Sequence, residues 1–255
     1  WKAALEAIKL RPFHPDAYLQ MADIALAAGD ERQAFLCAER LVRMTPEWEM
    51  AKKVYASLKP SAKGSRSKIN WTPLPPFLEK PRLSVCFIVK DEEEHLGRCL
   101  ASIKPIAWQI VVVDTGSKDR TVEIAREYGA EVAHFKWNDN FADARNAAHE
   151  HARGDWILIL DADEELRPES HEKLARDIAA PNILGYRIPI CNIHEADDSV
   201  TYVPRLFRNA PALFFVGRVH EQIYASVIAR KAEWNMEAKL GTATIFHYGY
   251  DPGLV

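Results

Sequence analysis

The sequence has 255 residues, of which 48% are hydrophobic and 27% are charged, a composition typical of a globular protein with room for two domains. Its formal net charge of -3 gives no broad electrostatic basis for binding nucleic acid. No apolar run approaches the roughly 20 residues that a membrane-spanning helix needs, so no transmembrane segment is predicted.

The cysteines and the two ends of the chain suggest where the protein resides and how much of it is present. The four cysteines are Cys37, Cys86, Cys99 and Cys191. They lie far apart without CxxC spacing, which favours reduced thiols in a cytoplasmic protein, with peripheral attachment at the inner membrane face left open. Because the chain begins at Trp1 rather than Met and ends after a Pro-Gly turn, we expect a fragment of a longer protein.

The first 60 residues carry an internal period of 34 residues. The pairs that share this offset are Pro12 and Pro46, Ala4 and Ala38, Leu10 and Met44, and Ala22 and Ala56. This segment resembles tetratricopeptide repeats, helix–turn–helix units of that period, although Tyr18 stands where Trp is usual and Ala22 where Gly is usual. Two roles stay open: a surface for a partner protein or an acceptor polypeptide, or a helical cap packed on the next domain.

A proline-rich linker is predicted over residues 61–81. Residues 59–81 contain five prolines, and hydrophilic residues cluster in the first half of that stretch. Trp71, Leu74 and Phe77 indicate that the second half lies against a surface. The linker divides a helical segment (residues 1–60) from a second domain (residues 82–255).

The second domain begins with alternating strands and helices. Strands are predicted at residues 83–89, 110–113 and 131–135, and helices at residues 96–103, 121–128 and 141–151. This alternation predicts an α/β fold with a mainly parallel sheet and helices on both faces. The absence of a GxGxxG after the first strand and of a GxxxxGK[ST] argues against a dinucleotide fold and a P-loop enzyme.

The central feature of the domain is an apolar run at residues 156–160, followed directly by Asp161 and Asp163. Five apolar residues without a polar break predict a strand buried on both faces. Ligands of open α/β sheets bind outside the carboxyl ends of the strands. An Asp-x-Asp there is suited to hold Mg²⁺ or Mn²⁺ and, through the cation, a phosphate. The alternative is a solvated acidic turn after the strand. Glu164 and Glu165 are explained by such a turn without any role in binding.

Three further residues are candidates for binding a nucleotide. Asp114 stands at a strand tip, where a ligand would lie. Arg145 either pairs with Asp143 on the surface or projects over the sheet edge to bind a base or phosphate. The helix dipole explains most of the acidic residues at 91–94, and one of them, Glu93, is the candidate that faces a nucleotide.

Residues 82–165 resemble the nucleotide-binding half of a family 2 glycosyltransferase with a GT-A fold. The segments that carry the resemblance are residues 84–93, 111–119 (VVVDTGSKD), 144–146 (ARN) and 154–164 (GDWILILDADE). The resemblance implies that Asp114 contacts the nucleotide base and that Arg145 lies near it. It also implies that Asp161 and Asp163 serve the nucleotide and a divalent metal.

The second half of the domain is expected to supply the acceptor side, with strands at residues 185–190 and 203–208. Residues 205–208 (RLFR) and 217–221 (GRVHE) resemble a bacterial subgroup whose members often carry tetratricopeptide repeats. In inverting GT-A enzymes a carboxylate near this place takes the acceptor proton, and Glu221 is the candidate base. The alternative is a structural Glu221 that pairs with neighbouring cations.

His247 and His194 lie in different predicted surroundings. His247 lies in a predicted strand and turn at residues 243–250, and it is either a metal or diphosphate ligand, as in many GT-A enzymes, or a structural residue. His194, with Glu195, Asp197 and Asp198, is expected in a polar loop that is solvated or faces the acceptor rather than binding a metal.

The prediction is therefore a metal-dependent, inverting glycosyltransferase that uses a nucleotide sugar, with UDP favoured on family grounds. The acceptor is a glycan or a polypeptide. One alternative is a haloacid-dehalogenase-like phosphatase, which also has an Asp-x-Asp after a strand but wants Thr or Val where Glu165 stands. The other is a repeat-based scaffold that has lost activity.

Overall fold

The structure is a computed structural model that describes residues 1–78, 80–193 and 200–249. Its helices are α1 (Lys2–Leu10), α2 (Pro15–Ala27), α3 (Glu31–Met44), α4 (Glu49–Leu58), α5 (Leu96–Ile103), α6 (Thr121–Glu127), α7 (Phe141–His151), α8 (Pro168–Ala179) and α9 (Tyr224–Trp234). Its strands are β1 (Leu83–Val89), β2 (Gln109–Asp114), β3 (Glu131–His134), β4 (Trp156–Ile159), β5 (Glu164–Glu165), β6 (Ile183–Asn192), β7 (Val200–Arg208), β8 (Glu237–Leu240) and β9 (Ile245–His247). The predictions for the 194–198 loop and for residues 250–255 lie outside the described residues.

The helical segment, α1–α4, has a hydrophobic core of its own. Met21, Ala22 and Ala25 of α2 and Ala34 and Ala38 of α3 are fully buried. Small side chains at this spacing let α2 and α3 approach closely, as the 34-residue period predicts. The segment therefore forms a packed helical unit before the sheet begins.

The stretch predicted as a linker is fastened to these helices by one buried carboxylate. Asp30 caps α3 by accepting a hydrogen bond from the Gln33 amide at 2.9 Å. Its other oxygen accepts from the Ser67 amide at 3.1 Å and from the Trp71 indole at 2.9 Å. The Trp71 ring also lies 4.5 Å from the Trp1 ring. Residues 65–71 thus follow the helical surface rather than spanning open solvent.

The helical segment packs against the second domain around Phe13. This side chain is 5% exposed, its ring lies 5.8 Å from Trp234, and the Arg208 guanidinium stands 5.1 Å from its centre. The Phe13 amide donates to the Asn209 carbonyl at 3.1 Å, and Arg11 donates to the His149 carbonyl at 3.3 Å. These contacts favour the helical-cap alternative, while the partner-binding alternative stays a prediction.

The strands that the structure describes form one mixed sheet in the order β3-β2-β1-β4-β7-β6-β9-β5, with β8 paired to β6. The strands β3, β2, β1 and β4 are parallel, and β7 joins β4 in antiparallel pairing. The α/β fold class is confirmed. The bounds of α5, α7 and β1 agree with the sequence pattern, whereas α8, α9 and β8 were not anticipated.

Helices cover both faces of the parallel half, because successive strand residues point to opposite sides. One face, which includes Phe87 and Leu158, packs against α5, α6 and α8. The other, which includes Val111 and Ile157, packs against α7, α9 and Phe13. The sheet is thus a buried platform whose carboxyl edge presents the loops after β1, β2 and β4.

No helix in the described ranges is both long enough and apolar enough to traverse a lipid bilayer. The four cysteines are unpaired, and Cys37, Cys86 and Cys99 are buried.

We expect Phe13→Ala to destabilise the chain by about 3–5 kcal/mol, because it empties a pocket between the helical segment and the sheet. Urea unfolding of the chain measures this. Leu10→Ala is the matched control, since Leu10 is 63% exposed, and should change the unfolding free energy by less than about 0.5 kcal/mol. Equal effects of the two substitutions would contradict the docking described above.

Candidate active site

The carboxylate of Asp161 lies at the carboxyl end of β4, between two arginines from different elements. Arg145 of α7 donates to one of its oxygens, and Arg205 of β7 donates to the other at 2.6 Å. The backbone amide of Asp161 donates to the Glu164 carboxylate at 2.8 Å. The surface pairing of Arg145 with Asp143 that the sequence left open is wrong, because Arg145 is 5% exposed and turned toward the sheet edge.

These contacts extend into a chain of alternating charges, Glu221–Arg145–Asp161–Arg205–Glu164. Arg145 donates to Glu221 at 3.1 Å, and Arg205 donates to Glu164 at 3.0 Å. The most enclosed side chains are those of Glu164 and Arg145, which are 2% and 6% exposed, and Arg205 is 13% exposed. This ionic chain, as we call it hereafter, joins the Asp-x-Asp turn to the candidate base.

Burial and the neighbouring charges of the ionic chain shift the pKa values of Asp161, Arg205 and Glu164. Burial raises the pKa of Asp161, but the charges of Arg145 and Arg205 outweigh burial and hold it well below the usual carboxyl range. Burial alone would lower the pKa of Arg205, yet Asp161 and Glu164 raise it. For Glu164, burial dominates and raises the pKa, assisted by the negative charge of Asp161 and opposed by Arg205.

Asp163, the second carboxylate of the Asp-x-Asp, faces a different partner. Its Oδ2 lies 3.0 Å from Nε2 of His247, whose Nδ1 lies 2.8 Å from the Asn192 side-chain oxygen. The Tyr248 amide donates to the Asp163 carbonyl at 3.0 Å. The structure thus brings Asp163 and His247 together. Across the described residues, no group of three or more His, Cys, Asp or Glu side chains is assembled as a metal site, so Asp161 does not join this pair.

Stacked cations fix the strand that carries His247. The Arg167 guanidinium lies 3.8 Å from the centre of the Phe246 ring, and that of Arg98 lies 3.7 Å from the centre of the Tyr248 ring. The Tyr248 hydroxyl donates to the Glu165 carboxylate at 2.5 Å. His247 is therefore held on both sides along β9, which positions its imidazole against Asp163.

Asp114 lies at the end of β2, as expected, and is 4% exposed. Its carboxylate accepts from the backbone amides of Ser117 at 3.0 Å and Gly116 at 3.3 Å, and contacts His134 at 3.1 Å. Burial raises the pKa of Asp114, but the hydrogen bonds from Ser117, His134 and Gly116 together bring it below its ordinary value. It is an ionised carboxylate at neutral pH.

Glu93 braces two loops. Its carboxylate accepts from the Arg120 amide at 3.0 Å, and its own amide donates to Asp119 at 3.0 Å. These bonds tie the loop after β1 to the loop after β2. Its nucleotide-binding role stays a prediction, and the geometry supplies a structural reason for a carboxylate here.

A cleft of about 460 Å³ opens beside the ionic chain and is lined by Arg145, Asp161, Arg205 and Glu221, among others. Tyr202 and Arg187 also line it. The volume lies in the usual range for small-molecule sites. Asp161, the first carboxylate of the Asp-x-Asp, and the candidate base therefore share one cavity.

A tight turn presents Glu221 to this cleft. Val216 and Gln222 exchange backbone hydrogen bonds at 3.0 and 2.9 Å and close the turn. Gly217 has a φ of +103°, a conformation that favours glycine. Asn146 of α7 donates to the Phe215 carbonyl at 3.0 Å and accepts from its amide at 2.8 Å. The same helix thus positions Arg145 and anchors the segment that carries Glu221.

The family model described as "Glycosyl transferase family 2" matches residues 84–233, more than half of the chain. The chain belongs to glycosyl transferase family 2. The match covers the Asp-x-Asp turn, all five members of the ionic chain and Asp114. The phosphatase alternative is left without support.

Curated relatives agree with this membership. The chain is 41% identical over 172 residues to a TPR repeat-containing protein of Synechococcus elongatus, covering 66% of this chain and 42% of that protein. It is 28% identical over 178 residues to the SPbeta prophage-derived glycosyltransferase SunS of Bacillus subtilis, covering 68% of this chain and 41% of that protein. The chain thus spans less than half the length of these relatives.

Solved structures share the fold. Staphylococcus aureus TarS 1-349 in complex with UDP aligns with a TM-score of 0.55 at 17% identity, over 66% of this chain and 60% of that one. Glucosyl-3-phosphoglycerate synthase of Mycobacterium tuberculosis, in complex with Mn²⁺, UDP and phosphoglyceric acid, aligns with a TM-score of 0.51 at 15% identity, over 68% and 73%. The GT-A fold expected from the sequence is confirmed.

Sequence reasoning gave no role in the site to Arg205, and it described Glu164 as part of a solvated acidic turn. Arg205 reaches Asp161 only because β7 pairs antiparallel with β4, which sets Leu206 opposite Leu158. That pairing joins residues almost fifty positions apart and leaves no local signal. For Glu164, the solvated acidic turn expected from the sequence is wrong, because its side chain is 2% exposed and paired with Arg205.

The stability of the chain should depend on the protonation of Glu164. Because the pKa of Glu164 is raised in the folded state, Glu164 makes its full contribution to the unfolding free energy below its ordinary pKa. This contribution is lost as the pH rises through the pKa of Glu164 in the folded state. Asp161, with a lowered pKa, titrates only in more acidic solution. Between pH 5 and pH 8, wild type should therefore lose about 1–3 kcal/mol of unfolding free energy relative to Glu164→Gln.

Urea unfolding at both pH values measures this difference, with Glu169→Gln as the control at an exposed position of α8. Parallel pH dependence of wild type and Glu164→Gln would show that Glu164 is not the titrating group.

Proposed function

We propose that the chain is the catalytic part of an inverting, metal-dependent glycosyltransferase that takes its sugar from a UDP-sugar. The observation that carries the proposal is the ionic chain, because it connects the Asp-x-Asp turn to Glu221 along one cleft. A donor on the Asp-x-Asp side and an acceptor on the Glu221 side would meet in that cleft. UDP is favoured by the family and by the UDP-bound neighbours.

Glu221 is proposed as the general base. One of its oxygens accepts from Arg145 at 3.1 Å, and the other makes no hydrogen bond within the described part of the chain. That second oxygen is available to take the proton from the acceptor nucleophile. The nucleophile forms its bond to the anomeric carbon as the bond from that carbon to the diphosphate oxygen breaks. A single displacement inverts the configuration and needs no covalent enzyme intermediate.

Asp163 and His247 are the residues proposed to hold Mg²⁺ or Mn²⁺. Two ligands bound at about 2.0–2.1 Å and at right angles lie about 2.9 Å apart, and their reactive atoms are 3.0 Å apart here. Two protein ligands suffice for a cation that substrate phosphates complete. When bound, the cation would neutralise charge on the departing nucleoside diphosphate. Asp161, occupied by two arginines, is proposed to face the nucleotide and position the turn.

The helical segment is proposed to hold a polypeptide, either a partner or the acceptor, at a fixed place beside the domain. It packs through Phe13 on the same face of the sheet as α7, the helix that carries Arg145. Since α1–α4 are docked rather than tethered, whatever they bind would keep a constant orientation to the cleft. A glycan acceptor remains the alternative outcome of any acceptor screen.

Glu221→Gln should lower turnover about 10²–10⁴-fold, because the amide cannot take the acceptor proton. Its affinity for UDP should stay within about threefold of wild type, since the amide oxygen still accepts from Arg145. UDP release from a sugar nucleotide selected by screening measures the first quantity, and calorimetric titration the second. Glu233→Gln, on the exposed side of α9, is the control. Unchanged turnover would remove Glu221 from this role.

Asp163→Asn and His247→Ala should each weaken Mn²⁺-dependent UDP binding by more than about tenfold. Loss of a residue that only hydrogen-bonds to a metal ligand already lowers metal affinity about 10–100-fold, and loss of a ligand should cost at least as much. Calorimetric titration of UDP with and without Mn²⁺ tests this, with Asp23→Asn on the exposed side of α2 as the control. If both variants keep the full Mn²⁺ enhancement, the cation is bound elsewhere.

A further inference from the structure

Residues 50–78 are strongly basic in an otherwise acidic chain. They contain six Lys or Arg and no Asp or Glu, whereas the remaining residues contain 27 Lys or Arg against 36 Asp or Glu. A segment of opposite sign to the rest of its chain is typical of a surface that binds an anionic partner. The family match begins at residue 84, so family membership leaves this segment unexplained.

Most of these cations are free to meet a partner. Lys52 pairs with Glu47 at 2.8 Å and with Glu49 at 3.2 Å. The other five are exposed and form no ion pair with any residue that the structure describes: Lys53, Lys59, Lys63, Arg66 and Lys68. Four of the five lie within residues 59–68, and clusters of about four to eight basic residues attract anionic lipid surfaces.

The fold holds this part of the chain so that its cations face outward. Ser65 donates to a carbonyl of the turn between α2 and α3 at 3.2 Å, and Ser67 donates to the buried Asp30 carboxylate at 3.1 Å. Arg66 and Lys68 alternate with these serines and are exposed, as in an extended backbone whose successive side chains point to opposite sides. The helices α2 and α3 therefore present the two cations at a fixed place on the surface.

Apolar side chains share the surface with these cations. Ile69, Phe77 and Leu78 are 49%, 46% and 43% exposed. The guanidinium groups of Arg40 and Arg43 lie 4.6 and 5.2 Å from the centre of the Phe77 ring. Exposed apolar side chains interleaved with cations are typical of segments that lie at a membrane interface, where the apolar groups enter the boundary between headgroups and acyl chains.

The aromatic side chains argue against single-stranded nucleic acid as the anionic partner. Bases stack on accessible aromatic faces. The Trp71 ring lies 4.5 Å from the Trp1 ring, and its indole donates to Asp30 at 2.9 Å, so Trp71 is already engaged. Ile69 and Leu78 offer aliphatic surface, which a lipid interface accommodates and on which a base does not stack.

The formal net charge of -3 does not prevent binding to an anionic surface. At 0.1 M salt, exposed charges more than about 10 Å apart are largely screened from each other. Lipid headgroups next to residues 59–78 would therefore interact with the local cations rather than with acidic side chains elsewhere on the molecule.

We propose that residues 59–78 attach the protein peripherally to a membrane surface that contains anionic lipids. Lys59, Lys63, Arg66 and Lys68 contact the headgroups, and the exposed apolar side chains of the segment enter the acyl boundary. This attachment goes beyond the proposed function and does not depend on it, because none of these residues belongs to the cleft or to the ionic chain. Since part of the binding is electrostatic, it weakens as the salt concentration rises.

Co-sedimentation of the full chain with vesicles, at about 0.1 M salt, tests the proposal. Wild type should bind vesicles that contain phosphatidylglycerol at least about tenfold more tightly than vesicles of phosphatidylcholine alone. The triple variant Lys63→Gln, Arg66→Gln, Lys68→Gln should lose about 100-fold in affinity for the anionic vesicles, because each basic residue near such a surface contributes about fivefold. Thermal unfolding verifies that each variant is folded, which exposure of the three positions favours.

The triple variant Lys2→Gln, Arg126→Gln, Lys136→Gln is the matched control, since it removes the same charge from exposed positions outside the segment. Its affinity for the anionic vesicles should stay within about threefold of wild type, because distant charges are screened. Wild type that binds both kinds of vesicle equally, or equal vesicle affinities of the two triple variants, would overturn the proposal.

The double variant Ile69→Ser, Leu78→Ser separates a lipid surface from a soluble polyanion. It should bind the anionic vesicles about tenfold more weakly than wild type, because burial of apolar side chains contributes to interfacial binding. Any binding of single-stranded RNA, which has no acyl boundary, should be unaffected. Unchanged vesicle binding by the double variant would show that the segment binds polyanions in general rather than a lipid interface, and the proposal would be wrong.

Discussion

The candidate site depends on one constraint, the mutual compensation of charges along the ionic chain, whose two arginines are 6% and 13% exposed. Removing one partner from a buried ion pair costs about 3–5 kcal/mol, because the remaining charge is left without compensation. Asp161 has two partners, Arg145 and Arg205, which come from α7 and β7. The position of the Asp-x-Asp turn therefore depends on the packing of α7 and β7 as well as on the sequence of the turn.

The same constraint explains how the donor and acceptor sides are held together. Arg145 contacts both Asp161 and Glu221, so a single guanidinium spans the distance between the turn after β4 and the turn that follows Phe215. Its planar group donates in fixed directions, which suits it to hold two carboxylates in a defined geometry. Asn146, one residue further along α7, anchors the backbone of the second turn. Helix α7 is consequently the element that aligns the two halves of the site.

Much of the parallel half of the domain was predictable from the sequence, because its information is local. Apolar runs predicted β1 and β4, and the helix predicted over residues 141–151 has the bounds of α7. Asp114 and Asp161 follow predicted strands, and they became candidates because ligands of α/β sheets bind outside the carboxyl ends of the strands. The family resemblance rested on the same local motifs.

The remainder depends on long-range pairing that no local pattern records. Arg205 joins Asp161 through antiparallel pairing of β7 with β4, and His247 reaches Asp163 because β9 pairs with β5. The docking of Phe13 between Trp234 and Arg208 joins opposite ends of the chain. The first half of the linker looked solvated because its composition is hydrophilic, yet the buried Asp30 binds the amide of Ser67 there, besides Trp71 in the half that was expected to lie against a surface. In each case one polar or aromatic side chain has a partner that only the fold brings near.

The most direct test of this account is a crystal structure of the chain with UDP and Mn²⁺, recorded at a wavelength where manganese scatters anomalously. The account predicts an anomalous peak about 2.0–2.3 Å from Asp163 and His247. It also predicts that the diphosphate lies in the cleft beside Asp161 and that the ionic chain through Arg145 to Glu221 remains in place. A nucleotide bound outside this cleft, or a manganese peak away from both residues, would contradict it.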